Sequence, residues 1–313
     1  MNKPLSKLIG SSIGLLFLML TPLRSVAQNA PKEINLVTGN EVGEYYAIGR
    51  DIEKLGEKHN LDIDVIPTRG ALQNIHDVFN YDSVELGIVQ GDVLGFLNTF
   101  ANYDGQIRVK AESIRNVLPL FKEQIHVIAT KEIKSIEDLE GKRISIGDEG
   151  SGTSMTASTL LYQLGIKPQE LLTYDIKRSI HELRNGNIDA FFYVVGTPAK
   201  VLQEQVLPED NFHLLPVTLN ISAEDEFYSM LYTPVTLPAN TYPWQTEAVE
   251  TLAIQSFLFT VETDDCTKVS LVASLIQNNL GWLQENGNPI WKQIDLKPLH
   301  NKQLTRMSQC VKP

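Results

Sequence analysis

Apolar positions follow two rhythms along the first third of the chain. Ile34-Asn35-Leu36-Val37 reads as a strand, Leu86–Val89 is a short apolar strand, and Asp62–Ile66 alternates as a third. Between them Tyr45, Ile48, Ile52 and Leu55 recur at helical spacing, and "PTRGALQNIHDVFN" (67–80) is a turn opening a second helix. Each strand ends at a glycine-bearing turn: Thr38-Gly39, Thr68-Arg69-Gly70, Gln90-Gly91-Asp92. Strand, turn and helix in alternation predict a parallel sheet with helices on both faces. Ligands in such sheets collect at the carboxyl ends of the strands.

The rhythm pauses and then restarts. Gln124–Thr130 is an apolar strand, and Ser135 is expected to cap a one-turn helix with Asp138 at its third position and Gly141 at its end. Arg143–Ile146 and Ile188–Val195 read as further strands, the latter followed by Gly196-Thr197-Pro198. Leu252–Val261 is apolar again, and Lys268–Trp282 predicts one long helix. A second α/β lobe follows from the restart. No Pro/Gly/Ser-rich linker separates the lobes, which predicts two crossover strands between them rather than a tether.

The densest turn is "SIGDEGSGTSMTASTLLYQLG" (145–165). It is not a P-loop, because Thr153 stands where the phosphate-neutralising lysine belongs. It is not a nucleophile elbow, because Glu149 and Thr153 occupy the glycine positions around Ser151. Asp148 and Glu149 are adjacent at a strand end, point to opposite sides and read as solvated loop acids. Two readings stay open. The unpaired amides of Gly150–Thr153, with the hydroxyls of Ser151 and Thr153, are suited to hold a carboxylate or phosphate. Alternatively the helix caps itself, with Ser151 accepting from one of its own first-turn amides.

The chain ends change the picture. Lys3 and Lys7, the apolar run Ile13–Leu20 and the small residues Ser25-Val26-Ala27 form the three parts of a secretory signal peptide cleaved after Ala27. The alternative is an uncleaved anchor. Cleavage leaves 286 residues (313 − 27) with net charge −14, since the removed segment holds three cations and no acid. That acidity disfavours nucleic acid and anionic membranes as partners. Cys266 and Cys310 both lie in the exported part, which favours one disulfide over two free thiols. The six histidines stand singly, so no metal site is expected, and no cofactor.

The turns taken in order resemble the TAXI family of TRAP-transporter solute-binding proteins. The similarity rests on Gly43-Glu44-Tyr45-Tyr46, on the turn from Pro67 to Asn74, on Gln90-Gly91-Asp92-Val93, on "DLEGKRISIGDEGSGT" (138–153) and on "DAFFYVVGTP" (189–198). The resemblance implies a two-lobed α/β fold of the type II periplasmic-binding-protein class, each lobe a mainly parallel sheet flanked by helices. It implies residues 28–122 plus 252–313 as lobe 1 and 123–251 as lobe 2. It further implies a periplasmic protein, not an enzyme, that captures a small carboxylate such as a glutamate-like amino acid and delivers it to a TRAP-type permease. A periplasmic sensor of the same fold is the alternative. The implied ligand-facing residues are Tyr45, Tyr46, Thr68, Asn74, Gln90, Asp92, Gly150, Ser151, Gly152, Thr153 and Gly196. Adjacent helical residues point about 100° apart, so one tyrosine should pack inward, and Tyr46 is expected in the cleft. Four positions depart from the family pattern: Val42 and Glu44 replace a glycine and a threonine, and Ala71 and Gly91 replace serines.

Overall fold

One ten-stranded sheet organises the computed structural model of the chain, which describes residues 33–219, 226–296 and 306–311. The expected signal peptide and its cleavage site lie outside those residues. The first part of the chain follows the predicted alternation: β1 (Ile34–Val37), α1 (Glu44–Lys58), β2 (Ile63–Ile66), α2 (Ala71–Asn80), β3 (Leu86–Gln90), α3 (Gly91–Phe100) and α4 (Gly105–Ser113). β1, β2 and β3 are parallel, with β1 in the middle. The seventeen-residue β4 (Ile114–Thr130) then leads to β5 (Arg143–Ser145), α5 (Gly152–Gln163), β6 (Glu170–Leu172), α6 (Ile176–Arg184) and β7 (Ala190–Val195). β5 pairs in parallel with both β6 and β7. After α7 (Lys200–Gln205), β8 (Phe212–Leu214), α8 (Glu226–Leu231) and β9 (Thr233–Leu237), the thirteen-residue β10 (Val249–Val261) returns.

β4 and β10 are the long strands at the centre. They run antiparallel to each other, and each also pairs with a parallel set, β10 with β3 and β4 with β7. The sheet order is β2-β1-β3-β10-β4-β7-β5-β6. Their ladder slips between Gln255 and Phe257. There Gln255 Nε2 donates to the Leu120 carbonyl at 2.9 Å and Ser256 Oγ to the Phe121 carbonyl at 2.7 Å, so side chains supply bonds the slipped backbone loses.

Both faces of both halves are covered. In the first half Ile48 and Ile52 of α1 pack on one face with Val272 and Ile276 of α9 (Thr267–Asn278), while Ala71, Ile75 and Val93 cover the other. In the second half Leu160 and Leu161 lie on one face, and Ile180, Leu183 and Leu202 on the other. Burial on both faces explains why the strands read as continuous apolar runs.

Two local expectations need correction. The long helix 268–282 is broken at Asn279, whose side chain donates back to the Leu275 carbonyl at 2.8 Å, giving α9 and the separate α10 (Leu280–Asn286). Ser135 caps nothing with its hydroxyl. Asp138 instead accepts from the Lys134 and Ser135 amides at 2.8 and 3.0 Å, above a single 3-10 turn.

Cys266, just before α9, is bonded to Cys310, 44 residues away. The tail enters beside β4: the Asn116 amide donates to the Arg306 carbonyl and the Ser308 amide to the Asn116 carbonyl, each at 2.8 Å. Cys310 is buried there in the first core.

Candidate functional site

The carboxyl ends of β1, β3 and β7 and the start of α5 converge on one cavity of about 100 Å³. At roughly 10–15 Å³ for each water-sized position, that space suits a molecule of about seven to ten non-hydrogen atoms. Phe121, Phe192, Val194 and Val195 form its apolar wall. The polar wall is Glu44, Tyr45, Gln90 and Glu123 on one side, and Arg69, Asp148, Ser151 and Thr153 on the other.

The two halves of the sheet meet along a seam beside this cavity. The Leu72 and Gln73 amides, opening α2, donate to the Gly150 carbonyl at 3.1 and 3.3 Å. Behind it, the Asp92 carboxylate of α3 accepts from Thr156 Oγ1 of α5 at 2.6 Å and from Tyr232 Oη at 3.2 Å. Burial pushes the Asp92 carboxyl up to about 6 despite those bonds.

Gly152 sits where the halves come closest. A Cβ there would overlap Gln90 Oε1, lie 2.5 Å from Gln90 Cδ and come within 3.3 Å of Ala71 Cβ. Gly152→Ala is therefore expected to push the Gln90 amide into the cavity. It should weaken solute affinity tenfold or more while the chain still folds, since a flexible side-chain end can move where backbone cannot. Calorimetric titration with circular dichroism checks both halves of that statement, and unchanged affinity would place the solute elsewhere.

The cavity brings together six of the eleven expected site residues, Tyr45, Gln90, Ser151, Gly152, Thr153 and Gly196, while Gly150 sits at the seam with its carbonyl taken by α2. The others are spoken for. Thr68 Oγ1 donates toward Asn74 Oδ1 at 2.6 Å and accepts from the Gly70 amide at 3.0 Å. Asn74 Nδ2 donates to the carbonyls of Thr38 and Ile88, so this pair braces the ends of β1 and β3. Asp92 belongs to the seam. Tyr46 packs against the first core, and it is Tyr45 that reaches the cavity, its hydroxyl donating to Glu123 Oε1 at 2.5 Å.

The glycine-rich turn is also more committed than its donors suggested. Ser151 Oγ accepts from the Ser154 amide at 3.1 Å, so the helix does cap itself. Thr153 Oγ1 accepts from the Val194 amide at 3.1 Å, so a Thr153→Val exchange would strip a buried amide as well as a cavity hydroxyl and cannot isolate a ligand contact. The Gly152 and Thr153 amides, in the first turn of α5, have no intrahelical acceptor, and both residues line the cavity.

Acids dominate the site. Glu44 is pushed up to about 7 by burial, with Asp51 adding repulsion and Asn288 partly relieving it. Its Oε2 is buried with no hydrogen-bond partner. Glu123 is pushed well above the carboxylate range by burial, with Asp92 and Glu44 adding to it and Tyr45 opposing. Asp148, read from sequence as a solvated acid, lines the cavity and is raised by burial and by Asp175, with Arg69 opposing. Gln90, only 2% exposed, holds its Nε2 beside Glu123 without a hydrogen bond of normal geometry. Glu123 escaped the sequence reading because the apolar strand was taken from Gln124. The alternation Phe121 inward, Lys122 outward, Glu123 inward was the available signal. Among the described residues no group of three His, Cys, Asp or Glu is placed to hold a metal ion, and no helix is long and apolar enough to cross a membrane.

A family model described as NMT1-like matches residues 36–306. Among solved structures, the periplasmic binding protein BugD superposes with a TM-score of 0.52 at 10% identity, covering 83% of this chain and 84% of that one. A protein from Bordetella bronchiseptica RB50 gives 0.51 at 16% identity over 84% and 76%. A structure from work on glutathione import through GshT in Streptococcus mutans gives 0.50 at 14% over 85% and 98%. The shared feature is the fold: a mixed α/β sheet with flanking helices, as in periplasmic binding proteins.

Proposed function

The chain belongs to the NMT1-like family, and we propose that it is an extracytoplasmic solute-binding protein. It takes a small solute bearing a carboxylate into the cleft between two lobes, 28–122 with 252–313 and 123–251, and passes it to a TRAP-type membrane transporter. The observation that carries this reading is the cavity itself. It is small, lies at the strand carboxyl ends where such sheets take ligands, and is walled from both halves of the sheet with a bonded seam beside it. The lobes part by bending where β4 and β10 slip register near Gln255. The Gly152 and Thr153 amides and Arg69 supply the carboxylate end, and Tyr45, Gln90 and the apolar wall hold the remainder. The role is capture without chemistry.

A thermal-shift screen over amino acids, amines, dicarboxylates, 2-oxoacids and sulfonates tests the reading. A true ligand at 100 times its Kd stabilises by about 2.7 kcal/mol. Absence of any stabilising solute, or stabilisation retained in full by Gly152→Ala, would overturn it.

A further inference from the structure

We propose that the Glu44–Glu123 wall of the cleft receives an ammonium group, so that the solute is a small amine of zero or positive net charge rather than a dicarboxylate. The inference rests on the reading of the cleft as a solute site and names the chemistry of its far end. Three carboxylates line the cavity, Glu44, Glu123 and Asp148, against the single guanidinium of Arg69. Glu44 and Glu123 repel each other, and both repel ionisation of Tyr193 across the cleft. Among the described residues neither acid has a cation beside it: Glu123 has the Tyr45 hydroxyl and the Gln90 amide, and Glu44 has Asn288 nearby but no hydrogen bond to its Oε2. A primary ammonium offers three donors and one positive charge, which answers the unpartnered oxygen and the mutual repulsion together. A second carboxylate placed there would set its charge against that of Glu44, which is ionised above pH 7, while Glu123 keeps its proton. The Gln90 amide, 2% exposed and beside Glu123, makes no hydrogen bond of normal geometry among the described residues, a second mark that this wall suits an occupant with its own polar atoms.

The pH dependence follows. Burial raises Glu44 to about 7; the titratable groups around it are Asp51 on its own helix, Glu123 and Tyr45 on the same wall and Tyr193, with Asp92 behind Glu123 and Arg69 and Asp148 elsewhere in the lining. An ammonium favours the ionised form of Glu44, so its binding releases a proton and tightens as pH rises toward 8. A dicarboxylate would do the reverse.

The test uses the mature chain and three probes of equal carbon count: cadaverine, δ-aminovalerate and glutarate, with calcium chloride as a fourth. δ-Aminovalerate should raise the melting temperature near pH 8, with glutarate and calcium giving no shift; cadaverine acting alone would keep the ammonium wall and overturn the carboxylate end of the solute reading. Calorimetry should then show the bound amine losing tenfold or more in affinity on Glu44→Gln, with Glu123→Gln as the second variant, and about tenfold in wild type between pH 8 and pH 5.5. Glutarate binding more tightly than either amine, calcium shifting the protein alone, no shift with either amine, or affinity indifferent to both substitutions would overturn the inference. A glutarate result would leave the solute site standing; silence from these probes and from the whole screen would take the solute-binding reading down as well.

Discussion

Replacing Glu44 by glutamine is expected to stabilise the ligand-free protein by about 3 kcal/mol near pH 8 and by almost nothing near pH 4. The glutamate is raised in the fold from its ordinary 4.5 to about 7. A carboxyl raised in this way contributes stability below pH 4.5, where folded and unfolded chains both hold the proton. That contribution is lost as pH climbs through 7, because the unfolded chain has by then ionised freely while the fold ionises at a cost. Glutamine keeps the shape and never ionises, so the wild type falls away from it across that window. In a chain of this length the difference amounts to roughly 6 °C or more in melting temperature. Asp92, raised to about 6, slopes the same way in both proteins, while Asp189 and Asp210, lowered by Arg143 and Arg184, act at more acidic pH and also cancel in the difference. Paired melts of the two proteins at pH 4 and pH 8 decide it. A variant less stable than wild type at pH 8 would mean that Glu44 is satisfied as an anion.

Loss of the Cys266–Cys310 bond is expected to cost about 4 kcal/mol, the chain-entropy value for closing 44 residues. The bond ties the tail to the start of α9, and the tail's backbone bonds to Asn116 depend on that position. Melting of a Cys266→Ser/Cys310→Ser protein beside wild type measures the cost. Equal melting temperatures would show that the apolar contacts of the tail suffice without the staple.

Much of the fold was legible because it repeats one pattern. Leu86–Val89 is apolar throughout and Ile34–Val37 at every position but Asn35, as strands covered on both faces demand, and each is followed by a helix-opening turn. The site was legible as a set of turns and less so residue by residue. Thr68 follows β2, and Asn74 and Asp92 lie in the first turns of α2 and α3, all polar as ligand residues would be. Their partners, however, are a carbonyl at Ile88 and hydroxyls at Thr156 and Tyr232, up to 140 positions away. Sequence gives the donor and withholds the neighbour that consumes it. Glu123 shows the converse, a charge in a strand core whose importance depends on facing Glu44 from another element. Tyr45 was separated from Tyr46 only by the rotation of α1, a matter of about 100° that the pattern of apolar residues left open.

The bonded seam sets a tempo as well as a shape. On the solute-binding reading, with Gly150 held by α2 and Asp92 held by α5, entry that required those bonds to part would be governed by how often the rims open and not by diffusion. Departure would cross the same barrier. Changes in cavity chemistry would then alter how long a solute stays, whereas changes at the seam would speed or slow arrival and departure alike. A membrane partner that prised Gly150 from Leu72 would empty the protein quickly without having to outcompete a single contact to the solute.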